Sequence, residues 1–278
     1  MSTRADLRYE PRLGIALGGG GALGAAHVGV LQELAKRGIH PSIVVGTSAG
    51  AVVGAAYAAG FDLKELEAIV VESRWGDFGT FSFTPGLGIL DTDGLRDTID
   101  RLAGPALMIE DLPVRFGAVA TDLVTREVVL LDSGPVADAL SASISVPGLF
   151  RPTRLHGHLL VDGGVIQNLP LEATFEMGAR HVIGVRLAPE WDGLPQFRTS
   201  TRVHEFEIRG DVTMIRPRIG QRSQWVADDL PALVQLGRDA AIEALGDYPE
   251  LGIRSTIAEL PQRIASFFRP PTPPAPRD

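Results

Sequence analysis

The sequence predicts an α/β fold, a three-layer sandwich around a central, mainly parallel sheet. Two observations predict it. Short apolar runs of strand length alternate with stretches of helical length, which implies parallel strands covered on both faces. At two points a glycine-bearing turn stands between such a strand and the helix after it.

Residues 13–17 read as a strand, followed by glycines and a helix over 24–36 that Gly38 ends. Residues 42–45 form a second buried strand, and the helix at 49–59 is stopped by Gly60. A further helix fits 62–73, with Asp62 as its N-cap. Strands follow at 115–120 and 128–131, then a helix at 136–143. Strands at 159–161 and 181–187 flank a helix near 171–177, and 227–245 is the last long helix. Three segments depart from this order. Residues 75–90 carry Phe78, Phe81, Phe83, Leu87 and Leu90 among glycines and read as an apolar loop. Residues 189–210 lack clear periodicity, and 269–278, with five prolines, read as a disordered tail. The expected organisation is a tail at 1–11, one domain over 12–268 with its motifs within 13–187, and the tail at 269–278.

Composition narrows the function classes. A chain of 278 residues can bury a substantial core, and 45% hydrophobic with 22% charged residues is ordinary for a soluble globular protein. A net charge of -8 disfavours nucleic-acid binding. The absence of cysteine excludes disulfides, thiolate metal sites and cysteine nucleophiles, and fits a cytoplasmic protein. Residues 1–12 are polar and lack the apolar segment of a signal peptide. Residues 39–61 contain no charged side chain, but Gly, Ala and Ser dominate them and they divide into a strand, a turn and a helix. They read as a core unit rather than a membrane span.

Two motifs carry chemistry. In the first, Gly18 to Gly24, several side-chain-free positions let backbone N–H groups converge on an anion at the start of a helix. Gly19, Gly21 and Gly24 satisfy a dinucleotide fingerprint, but the ribose acid that reading needs is missing: no Asp or Glu lies between Glu33 and Asp62. An oxyanion hole remains, as does close helix–strand packing. In the second, Gly46-Thr47-Ser48-Ala49-Gly50 lies between a buried strand and a small-residue helix, the context of a serine nucleophile on a sharp turn. A helix-capping serine is the simpler alternative. The base that would activate Ser48 is open at this level. The six histidines, His27, His40, His156, His158, His181 and His204, stand in no distinctive loop. Asp162 follows Leu159-Leu160-Val161 and precedes Gly163-Gly164, a carboxylate at a strand end that desolvation would make a better base.

Together with Ala120-Thr121-Asp122-Leu123 and the block from Ala142 to Gly148, these motifs resemble the patatin-like phospholipase family. The resemblance is to its small bacterial members related to the catalytic domain of neuropathy target esterase. It implies a patatin-like fold, Ser48 as nucleophile, Asp162 as proton acceptor, and an oxyanion hole at Gly19, Gly20 and Gly21. Gly24, Gly46, Gly50, Gly163 and Gly164 are the motif glycines, and Asp122 and Asp132 are structural by default. It further implies hydrolysis of phospholipid or lysophospholipid esters through an acyl-enzyme, without metal or cofactor, with transient contact to a membrane surface. Leu23 departs from the pattern, which has Arg or Lys there. A low-activity interaction protein on the same fold, and acyl transfer to another acceptor, are the competing readings.

Overall fold

The computed structural model describes residues 12–72, 107–187, 200–226 and 229–246. At its centre is an eight-stranded sheet. The strands are β1 (Leu13–Leu17), β2 (Ile43–Thr47), β3 (Arg115–Asp122), β4 (Val128–Leu131), β5 (Thr153–Leu155), β6 (His158–Asp162), β7 (His181–Val185) and β8 (Val212–Ile215). Their order is β5-β6-β3-β2-β1-β7-β8, with β4 on β3 off this path. Strands β3, β2, β1, β7 and β8 run parallel, whereas β4 and β6 are antiparallel to β3.

The described helices are α1 (Ala25–Lys36), α2 (Ala49–Ala58), α3 (Leu63–Glu72), α4 (Val136–Ser143), α5 (Leu171–Glu176), α6 (Ser200–Glu207) and α7 (Leu230–Leu245). Strands β1, β2 and β7 are buried along their whole length, as central parallel strands must be. The two-residue period of a strand then sorts side chains into two layers. Leu13, Ile15, Leu17, Val44, Ile183 and Val185 pack with α1, α2, α4 and α7. Ala16, Val45, Val119 and Val182 face α5, with Phe206 of α6 at the margin of that smaller cluster. Each fully buried aliphatic side chain contributes about 1.5–3 kcal/mol.

Helices α1 and α7 cross with their backbones in contact. A Cβ on Gly29 would overlap the Val234 carbonyl, and one on Gly237 would overlap that of Ala26. The contact is reciprocal.

Most expected elements stand within two or three residues of their expected bounds. Asp62 caps α3 by accepting the Lys64 and Glu65 N–H groups at 2.8 and 3.1 Å. Residues 39–61 resolve into β2 and α2, and no described helix is long and apolar enough to cross a membrane. Three elements lie outside the pattern read from sequence. Strand β5 is three residues long, too short to show alternation, and β8 has four. Helix α6 falls inside the span 189–210, where two apolar residues in eight, Val203 and Phe206, make no stripe. Helix α7 starts later than residue 227: Asp229 caps it, its side chain accepting the Ala232 N–H. The expected tails at 1–11 and 269–278, the apolar loop at 75–90 and residues 189–199 lie outside the described residues.

Candidate active site

The two chemically central side chains are brought together by β3. Val119 pairs with Thr47 of β2 and with Leu130 of β4, so those strands lie on its opposite edges. Ala120 pairs with Asp162 of β6 and with Val129 of β4. A strand has two edges, so β2 and β6 share one of them. They approach from opposite directions, and their C-terminal ends meet there. Ser48 follows Thr47 directly, and its side chain is close enough to the Asp162 carboxyl to pull its pKa down.

Ser48 sits at φ 53° and ψ -123°, a conformation that L-residues rarely adopt and that costs about 1–3 kcal/mol. The turn is this sharp because β2 passes into α2 with no intervening loop. Gly46 and Gly50 make it sterically feasible. A Cβ on Gly46 would overlap the Ala51 backbone, and one on Gly50 the Leu17 carbonyl. The Ser48 side chain makes no capping bond to α2, so the helix-cap alternative does not describe it. Its own N–H donates to Ser143 Oγ at 2.9 Å.

Asp162 is 5% exposed. Burial raises its carboxyl from 3.8 to about 6, against the opposing pull of the Ser48 side chain and of the hydrogen bond from the Gly164 N–H. The latter reaches Oδ1 at 2.7 Å. Gly163, the next residue, lies against the Val119 carbonyl, where a Cβ has no room. The environment therefore favours a carboxyl poised to gain and lose a proton near neutrality.

The glycine loop is held from several sides. Gly18 N–H donates to the Val185 carbonyl (3.0 Å), and Ala22 N–H to that of Gln224 (2.9 Å). The Gly18 carbonyl faces His27 Nε2 at 2.7 Å. Desolvation lowers His27 to about 4, so this buried imidazole is neutral and donates. The expectation for Gly19 is corrected: its N–H is spent on the Asn168 carbonyl at 3.0 Å. Gly20 and Gly21 keep N–H groups without a partner among the described residues. Gly24 packs against Ala49, the first residue of α2, with 2.7 Å between a Cβ placed there and the alanine's. Leu23 is a buried core side chain, so this position presents no cation to a ligand.

Among the remaining groups, His158 Nδ1 pairs with Asp122 Oδ2 at 2.5 Å, and His181 Nε2 faces Thr213 Oγ1 at 2.9 Å. Asp122 also accepts the Val124 N–H at 2.7 Å, which makes it a turn-forming residue. Ser143, Ser145 and Asn168 are contacts of the site to which sequence reasoning gave no role. The block from Ala142 to Gly148 stood out only as part of a family pattern, and Asn168 carried no signal.

A family model described as patatin-like phospholipase matches residues 15–175, more than half of the chain. The chain belongs to the patatin-like phospholipase family. The matched span runs from β1 into α5 and contains the glycine loop, Ser48 and Asp162. An uncharacterised NTE family protein of Mycobacterium tuberculosis is 38% identical over 199 residues, covering 67% of this chain and 53% of that protein. A patatin-like phospholipase domain-containing protein of Caenorhabditis elegans is 35% identical over 187 residues, 62% of this chain and 13% of that protein. The chain thus spans about half the length of the mycobacterial relative. The crystal structure of VipD from Legionella pneumophila superposes with a TM-score of 0.60 at 14% identity, covering 84% of this chain and 66% of that one, a likeness of fold.

Proposed function

We propose that the protein is a serine acyl hydrolase that cleaves carboxylic esters of phospholipids or lysophospholipids through a Ser48–Asp162 dyad. The observation that carries this reading is the meeting of the C-terminal ends of β2 and β6 on one edge of β3, which sets Ser48, on its positive-φ turn, beside a buried carboxyl raised to about 6. Ser48 Oγ attacks the acyl carbon while Asp162 takes its proton. The oxyanion of the tetrahedral intermediate faces the N–H groups of Gly20 and Gly21, with the N-terminal end of α2 adding favourable potential. Collapse breaks the ester bond, and Asp162 returns the proton to the departing alcohol. Water then attacks the acyl-enzyme, Asp162 accepts its proton and hands it to Ser48 Oγ, and the fatty acid leaves. Membership of the patatin-like phospholipase family supports a lipid ester as substrate.

Labelling with a fluorophosphonate tests the reading. Wild type is expected to be labelled at Ser48, Ser48→Ala not at all, and Asp162→Asn far more slowly. Folded wild-type protein that stays unlabelled would overturn it in favour of an interaction protein. A panel of p-nitrophenyl esters and lysophospholipids, with product analysis for free fatty acid, separates hydrolysis from acyl transfer.

A further inference from the structure

The segment 143–145, at the C-terminal end of α4, touches both members of the proposed dyad. Ser143 Oγ accepts the Ser48 N–H at 2.9 Å and donates its own proton to the Val119 carbonyl at 2.7 Å. Two residues on, the Ser145 carbonyl accepts the Asp162 N–H at 2.9 Å. Ser145 is itself fixed, its hydroxyl donating to the Ser141 carbonyl at 2.7 Å. Ser143 and Ser145 are both 0% exposed, so no bulk water stands ready to replace these bonds.

We propose that Ser143 is a positioning residue of the acyl-transfer centre, which with the Ser145 carbonyl sets the spacing between Ser48 and Asp162. The proposal rests on the dyad reading above. The chemistry of a hydroxyl explains why serine suits the position. The Ser143 proton is committed to Val119, so a lone pair is left facing the Ser48 N–H. Val119 is in turn the register partner of Thr47, which closes a loop of contacts through β2, β3 and α4. A strained turn persists only when its surroundings over-determine it, and this bond is one of the surroundings that hold Ser48 at positive φ. Ser143 bonds to the Ser48 backbone and not to the reacting hydroxyl, so it acts through Ser48.

The test compares Ser143→Ala and Ser143→Thr with wild type by fluorophosphonate labelling rate, steady-state hydrolysis of a p-nitrophenyl ester, and thermal melting. Ser143→Ala is expected to melt cooperatively, to label at least about tenfold more slowly, and to lose kcat with KM nearly unchanged, as misplacement of a nucleophile does. Ser143→Thr, which keeps the hydroxyl, is expected to recover most of the rate. A folded Ser143→Ala that labels at the wild-type rate overturns the proposal, and so does a folded Ser143→Thr as slow as the alanine variant. If the alanine variant does not fold, Ser143→Cys decides. Its sulfur is a weak acceptor of similar size, and a wild-type labelling rate in that variant overturns the proposal. Wild type that is itself unlabelled sinks the dyad reading, whereas labelled wild type with an unaffected Ser143→Ala sinks the positioning role alone.

Discussion

Thr47 and Asp162 occupy neighbouring register positions on one edge of β3, opposite Val119 and Ala120. The spacing of the proposed nucleophile and base is thereby tied to the backbone of a third strand. Sheet backbone is a stiffer reference than loops, which is what a reaction sensitive to fractions of an ångström needs.

The pH dependence of catalysis should report the Asp162 carboxyl. Burial raises it from 3.8 to about 6, and it accepts a proton only when ionised. The expected kcat/KM rises with pH through about 6 and then levels, with roughly a tenfold loss one pH unit below. A profile flat from pH 5 to 8 would contradict the assignment of the base.

The same group should cost stability. Its folded pKa lies above the unfolded one, so the native state holds the proton more tightly. The benefit is complete below about pH 3.8 and is lost as pH rises through about 6. The interval corresponds to about 3 kcal/mol once the carboxylate is ionised. Asp162→Asn keeps an oxygen for Ser48 and Gly164 without the charge. It should therefore melt higher than wild type at pH 8, with the difference shrinking at pH 4. Equal melting temperatures at both values would argue against the raised carboxyl.

Two variants at position 48 that lack the hydroxyl should differ in stability. Glycine adopts φ 53°, ψ -123° without the strain a Cβ imposes, whereas alanine retains it. Ser48→Gly is expected to exceed Ser48→Ala by about 0.5–2 kcal/mol in urea denaturation, after allowing for glycine's larger chain entropy. The reverse order would mean that the turn relaxes when the hydroxyl is removed.

The α1–α7 crossing should be intolerant of a methyl group. Gly237→Ala and Gly29→Ala each force a Cβ into a carbonyl of the facing helix, so the helices must separate. Each is expected to lose about 1–3 kcal/mol or more, despite alanine's better helix propensity. A thermal melt unchanged by either substitution would refute the close crossing.

Sequence patterning reached most of the architecture because the central strands are buried and mostly apolar and the helices carry clear end signals, such as Asp62 and Gly60. Helix α6 escaped it, since two apolar residues in eight give no period. Strand β5 escaped because its three residues belong to a hairpin whose register on β6 is a tertiary matter. At the candidate site, the turn at Ser48 and the strand end at Asp162 were legible because sharp turns and strand ends demand neighbouring glycines. Two features were not. Gly19 looks equivalent to Gly20 and Gly21 in sequence, and only the approach of the Asn168 carbonyl takes its N–H out of use. Ser143 lies at a helix end among small residues, where nothing local distinguishes a serine that touches another strand's turn.

The Gln224 carbonyl bonded to Ala22 and the α7 backbone lodged on α1 both lie beyond residue 175, where the family match stops. Truncation at that boundary would remove β7 and β8 along with α7, bare the glycine notch of α1, and leave the loop at Gly18 without its Val185 acceptor. The packing that supports the glycine loop and α1 is therefore longer than the shared motifs, and it reaches Gly246, whose carbonyl accepts from Arg37 at the end of α1. A shortened version cut at the last motif would retain both residues of the proposed dyad and still lack the scaffold that shapes them.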